Sequence, residues 1–331
     1  MHPFAQYIQI LGKGRNGMRS LTEQQAYEAM QMISCYDVEP EQIGAFLMLM
    51  RVKEASAEEL AGFTRALRES LPVPQDHLVP AIDWAAYAGK KRQLPWFLLA
   101  ALVVVGRGYP VVMHGMNWSD ERLYVPDALD VLDMTPATSL KDAQHQLKEH
   151  GFSYLPISKM SALTTQLMRT RELTGLRSPL QTVARMLNPF SAPLSLMGVF
   201  HPNFAEIHQR AAELLEQPNA LMCKGEGGEL ERVPDRSVEL YGLSGGRPWH
   251  DVWQQMTRPG TETKPEKLNL NHFRAVWEGD AEDGYGEDAV AGTLALVIKA
   301  LDLESDSESA HRLARVWWQE RHHASAEREA I

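Results

Sequence analysis

Leu94-Pro-Trp-Phe-Leu-Leu-Ala-Ala-Leu-Val-Val-Val105 is followed, past Gly106 and Gly108, by Pro110-Val-Val-Met-His114. The first run is apolar throughout and too long for a usual strand, so it reads as a buried helix. The second is short, β-branched and closed by Gly115, which predicts a buried parallel strand. A buried helix feeding a buried strand is the repeating unit of an α/β layer. Working outward, Asp127 to Leu132 begins a helix, and Leu194 to Phe200 and Ala220 to Cys223 read as further strands. Pro202 suits the first turn of another helix. The expected centre of the chain is an α/β domain with a mostly parallel sheet.

The flanks read differently. Ser20-Leu-Thr-Glu23 and Ser56 with Glu59 are capping boxes, and Pro40 sits at a helix start before Ile43, Phe46, Leu47 and Met50 at helical spacing. The opening is therefore an all-helical module of about four helices. Pro72 to Pro80 reads as a linker. Lys159 to Met186 interrupts the α/β alternation with two helical stretches. Gly292 to Ala300 and Ser309 to Glu320 return to helix, and Glu278 to Asp288, rich in acids, reads as a solvated loop.

The 331 residues are 44% hydrophobic and 23% charged, ordinary for a soluble globular protein. No stretch is long and apolar enough for a membrane helix, and Met1 to Leu11 lacks a signal-peptide pattern. Cytoplasmic residence is the expectation. Cys35 and Cys223 are far apart and without metal-ligand spacing, so both read as reduced, buried or half-buried thiols. No histidine or cysteine grouping predicts a metal site.

The net charge of −10 argues against general affinity for nucleic acid, yet the cations are clustered. Leu155 to Phe200 holds Lys159, Arg169, Arg171, Arg177 and Arg185 against Glu172 alone. Lys90, Lys91 and Arg92 are consecutive and flanked by Trp84, Tyr87 and Trp96. Aromatic rings interleaved with cations suit stacking on bases along a phosphate backbone, whereas three charges in a row also suit a solvated turn. Lys13 and Arg15 lie in Gly12-Lys-Gly-Arg-Asn-Gly17, which has the spacing of a dinucleotide loop but follows a helix rather than a strand.

Glu41-Gln-Ile-Gly-Ala-Phe-Leu-Met-Leu-Met-Arg51, Tyr109-Pro-Val-Val-Met-His-Gly115, Glu172-Leu-Thr-Gly-Leu-Arg177 with Met186-Leu-Asn-Pro189, and Met197-Gly-Val-Phe-His-Pro202 occur in an order that resembles the anthranilate phosphoribosyltransferase (TrpD) and pyrimidine nucleoside phosphorylase superfamily. The resemblance is collinear across nearly the whole chain. It implies a small, discontinuous helical domain (1–72 with 159–187), a larger α/β domain (73–158 with 188–331), and a homodimer formed through the small domain.

The chain departs from that family where the family binds its substrate. Active relatives carry a Gly-Thr-Gly-Gly-Asp loop whose amides wrap a pyrophosphate, a contact that bulky side chains obstruct. Here the stretch reads Ala81-Ile-Asp-Trp-Ala-Ala-Tyr-Ala-Gly-Lys-Lys-Arg-Gln-Leu-Pro95. Charge-assisted contacts of this kind contribute roughly 1.5–3 kcal/mol each. Of the family's Lys-His-Gly-Asn-Arg motif only His114 and Gly115 remain. The acidic pair that positions magnesium is reduced to Glu229 or Glu231 in Gly228-Glu-Leu-Glu231. His114, Gly115, Asn188 and Glu231 are thus relics of a phosphoribosyl site. This pattern is similar to the divergent TrpD-like branch called YbiB, which is associated with nucleic-acid binding.

Two functions lead the expectations, ahead of a protein-interaction module whose basic groove takes an acidic partner. One is sequence-independent nucleic-acid binding by a dimer through a basic groove formed by Lys90, Lys91, Arg92, Lys159, Arg169, Arg171, Arg177, Arg185, Lys13 and Arg15, with no cofactor and no membrane partner. The alternative is a glycosyltransferase with an altered donor or acceptor, which would bring in magnesium and a small phosphate ligand.

Overall fold

A computed structural model describes residues 1–322 apart from 15, 202, 259–264 and 266. Four helices open the chain, α1 (Ala5–Gly12), α2 (Glu23–Ser34), α3 (Pro40–Lys53) and α4 (Ala57–Glu69). Then come β1 (Ile82–Ala86), α5 (Trp96–Gly106), β2 (Val111–Gly115), α6 (Val125–Asp130), α7 (Leu140–His150) and β3 (Phe152–Pro156). Three helices follow, α8 (Ile157–Met160), α9 (Ala162–Thr174) and α10 (Leu180–Arg185). The chain re-enters the sheet with β4 (Leu194–Val199), α11 (Asn203–Leu214), β5 (Asn219–Lys224), β6 (Val238–Ser244) and β7 (Arg247–Trp253), and ends in α12 (Leu270–Glu278), α13 (Gly284–Ala300) and α14 (Ser307–Gln319).

The sheet runs β3-β2-β1-β4-β5-β6-β7. β1 to β5 are parallel, and β6 and β7 close one edge as an antiparallel hairpin. Each face has its own core. One packs Ala85, Val112, Leu155 and Met197 against α1–α4, α7, α9, α10 and α11. The other packs Trp84, Val111, Leu196 and Leu221 against α5, α13 and α14. Helix α5 is the apolar run of the sequence, and Trp96 to Val105 are buried but for Leu102. Burying both faces explains why the strands read as continuous apolar stretches.

The helical opening follows its capping signals. Thr22 and Ser56 cap α2 and α4, each through a full capping box. The α2 box therefore begins at Thr22 rather than Ser20. Arg68, at the end of α4, donates hydrogen bonds to the carbonyls of Met186 and Leu187, tying the opening helices to the end of α10. Among the described residues no helix is long and apolar enough to cross a membrane.

Several expectations need correction. Ile82 to Ala86 is a buried strand, so Trp84 lies inside the sheet and not in a loop. The acidic stretch 278–288 is the α12–α13 junction, where Asp283 caps α13 through Gly286 N. Cys35 is exposed, whereas Cys223 is buried.

α2 and α4 cross at Gly62, where an added Cβ would stand 2.3 Å from the Glu23 carbonyl oxygen and 2.8 Å from Ala26 Cβ. Gly62→Ala should therefore destabilise the protein by about 1–3 kcal/mol, read as a lowered denaturation midpoint; an unchanged midpoint would mean that the helices do not meet there.

Candidate anion-binding cleft

In an open parallel sheet, ligands bind beyond the carboxyl ends of the strands. Four segments converge there: Tyr87–Pro95 after β1, Met116–Trp118 after β2, Phe200–His201 after β4 and Gly225–Glu231 after β5.

The segment after β1 is internally occupied. The Glu229 carboxylate accepts hydrogen bonds from the backbone amides of Ala88 and Gly89, both at 2.7 Å. The Arg122 guanidinium donates to the carbonyls of the same two residues. Glu229 is buried, and burial pushes its carboxyl above the usual range while the two amides and Arg185 oppose that shift. An internal carboxylate thus sits on amides of the segment that the resemblance matches to a pyrophosphate loop.

Lys90 lies deeper. Its ammonium is fully buried between Glu226, at 2.5 Å, and Glu231. Glu231 also accepts the Phe97 amide at the start of α5. The two carboxylates hold the Lys90 ammonium charged against the opposing cost of burial. This corrects Lys90 as an anion-binding residue, because its charge is spent inside the protein. Tyr87 and Trp96 are likewise buried, so neither they nor Trp84 can stack on a base.

The acids do not suit a magnesium ion. Glu226 and Glu231 share the Lys90 ammonium, and Glu229 is committed to two amides. No cluster of ligating side chains suited to a metal exists among the described residues. A buried ammonium stands in place of a divalent cation between carboxylates.

The relic residues serve the scaffold. His114 is buried, with Nδ1 at 2.8 Å from the Tyr87 hydroxyl and Nε2 at 3.3 Å from Asp83. Gly115 admits no side chain, since a Cβ would meet the Ala86 carbonyl at 2.0 Å. Asn188 is buried and bonds to Ala192 and Gln217.

The other candidate cations among the described residues are exposed or half-buried. Lys91 is exposed and paired with Glu121 at 3.2 Å, and Arg92 is exposed beside it. Arg177 is exposed on the loop between α9 and α10. Partial burial lowers its pKa, and the charges of Arg171, Arg122 and Arg51 lower it further. Arg171 stacks on Trp118 and Arg185 on Tyr87. Arg169 pairs with Glu172, Lys159 and Lys13 are exposed, and Arg15 lies outside the described residues.

Two cavities flank this ground. A larger one of about 870 Å³ is bordered by Lys91, Arg92, Arg122, Lys224 and the backbone of Gly225–Gly228. A smaller one of about 380 Å³ holds Arg51, Glu54, Arg177, Arg185 and His208. Sequence reasoning missed Arg51, Arg122 and Lys224, none of which sits in a basic run. It also missed Glu229 as an internal ligand.

Comparison with known proteins accords with this architecture. Residues 5–71 match the glycosyl transferase family helical bundle domain. The protein YbiB of Escherichia coli K12 is 24% identical, over 80% of this chain and 83% of its own. The anthranilate phosphoribosyltransferase of Geobacillus sp. WCH70 is 26% identical over 84% of each chain. The solved anthranilate phosphoribosyltransferase of Thermus thermophilus superposes with a TM-score of 0.78 at 22% identity, covering 97% of this chain and 95% of that one. The Saccharomyces cerevisiae enzyme, solved with phosphoribosyl pyrophosphate and magnesium, gives 0.75 at 16% identity, with coverage of 98% and 95%. These similarities support a glycosyltransferase scaffold, the alternative expectation, more than they support nucleic-acid binding.

Lys90→Met should lower stability by about 3–5 kcal/mol, because it leaves Glu226 and Glu231 buried without a counter-charge. An unchanged melting temperature would show that the ammonium is not held there. Burial, reinforced by Arg185, depresses His208 to a pKa of about 3. Between that value and the ordinary 6.5 the unfolded chain binds a proton that the folded one refuses, so stability falls as pH falls. The loss from pH 7 to 5 should reach about 2 kcal/mol and shrink in His208→Gln; an equal loss in the variant would exclude this histidine as its source.

Proposed function

We propose that this chain, similar in sequence and fold to anthranilate phosphoribosyltransferases, uses its scaffold to hold a polyanion, nucleic acid foremost, in a basic cleft, as a dimer, without transferring phosphoribosyl groups. The observation that carries this is the guanidinium group of Arg51, Arg122, Arg171 and Arg177, close enough for the other three to depress the pKa of Arg177. Neither Arg51 nor Arg177 has an ion-pair partner among the described residues. Such a cluster repels itself until an anion arrives, and phosphates are anions that guanidinium groups match in geometry. The internal occupation of the Ala88 and Gly89 amides, and of the Glu226–Glu231 space by Lys90, argues against a pyrophosphate with its metal.

Affinity would come from phosphate neutralisation and would depend little on sequence. Log affinity should fall linearly with log salt, with a slope of several units. Reversing Arg122 or Arg177 to glutamate should weaken binding alike on unrelated sequences and reduce the slope by about one. Undetectable or salt-insensitive binding at about 50 mM salt would refute the proposal.

A glycosyltransferase with an altered donor or acceptor is the second possibility, favoured by the relatives' names and by the cavity beyond the carboxyl ends of the strands. Release of pyrophosphate from phosphoribosyl pyrophosphate, dependent on an added acceptor, would establish it in place of the first.

A further inference from the structure

Phe200 directly follows β4 and is 57% exposed, unusual for a large aromatic ring at the carboxyl edge of a buried sheet. It borders both cavities and so stands between them. The ring is nevertheless held. Its Cβ and Cδ2 lie over Gly228, at 3.5 Å from where a Cβ would be, and Gly228 has a φ of +100° that favours glycine. His201 meets it edge-on, with ring centroids 4.8 Å apart and planes at 81°. On one side lie Arg92, Arg122 and Lys224; on the other lie Arg51 and Arg177.

We infer that Phe200 is a stacking platform for an unpaired base, and that the two cavities hold the phosphates on either side of it in a single strand. The inference rests on the polyanion function proposed above and specifies its ligand. A duplex hides the faces of its bases, whereas a single strand offers one face per nucleotide, and stacking on an aromatic ring is indifferent to which base it is. Cations on both sides of the ring match a chain that passes over it better than a free nucleotide, whose phosphate lies on one side only. Lys224 has no ion-pair partner among the described residues, and neither does Arg92.

The test is fluorescence anisotropy with a labelled twelve-nucleotide oligothymidylate and, in parallel, a duplex of the same length, at about 50 mM salt. The wild type should prefer the single strand. Phe200→Ala should weaken single-strand binding about tenfold, leave the salt slope and the duplex affinity unchanged, and be rescued by Phe200→Trp. Because the ring is mostly exposed, the alanine variant should keep the wild-type melting temperature. Strand binding that is salt-dependent but indifferent to Phe200→Ala would overturn this inference alone. Thymidine monophosphate binding as tightly as the strand would overturn it too, assigning the site to a small nucleotide. Failure of the wild type to bind either polymer would overturn the polyanion function beneath it.

Discussion

The contact on which the cleft depends is the Glu229 carboxylate seated on the amides of Ala88 and Gly89. Two adjacent backbone N–H groups aimed at one point form a concave site of positive potential, and such a site will be filled by some anion. When the anion belongs to the protein, it is always present at effectively unlimited concentration, and a ligand must displace it. Burial makes the displaced state costly in both directions, because Glu229 would lose its donors without reaching water. The loop between β1 and α5 is thereby fastened to the segment after β5.

Lys90 completes the closure. Its ammonium satisfies Glu226 and Glu231, and Glu231 in turn accepts the first free amide of α5. Removing Lys90 leaves two buried carboxylates without a counter-charge, whereas removing either glutamate leaves the ammonium paired with the other. The same set explains why three consecutive cations behave differently. Lys90 points inward to the carboxylates, while Lys91 and Arg92 stay at the surface and border the larger cavity. What remains outside is a rim of cationic side chains around a closed centre.

The fold was legible to the extent that periodicity and caps carry it. The run from Leu94 to Val105 became α5, Val111–Gly115 became β2, and the capped helices of the opening are present. The β6–β7 hairpin was also readable, since Gly245 and Gly246 make a two-residue turn with positive φ between extended runs, yet it was not anticipated. Ile82 to Ala86 was misread because the resemblance aligned a loop with it, whereas Ile82, Trp84 and Ala86 fill one face of a central strand. In the site, Lys91, Arg92 and Arg177 lie at the surface. Lys90 does not, and no local pattern reveals that its partners lie about 140 residues later in the chain. Arg51, Arg122 and Lys224 were invisible for the same reason: single cations on separate elements gather only when the sheet is assembled.

A high-resolution structure obtained with magnesium and phosphoribosyl pyrophosphate at about 10 mM, roughly tenfold or more above the substrate constant of a working site, tests the central claim most directly. The account predicts that Glu229 stays on the amides of Ala88 and Gly89 and that Lys90 stays between Glu226 and Glu231. A pyrophosphate on those amides, or a metal ion between those carboxylates, would contradict it.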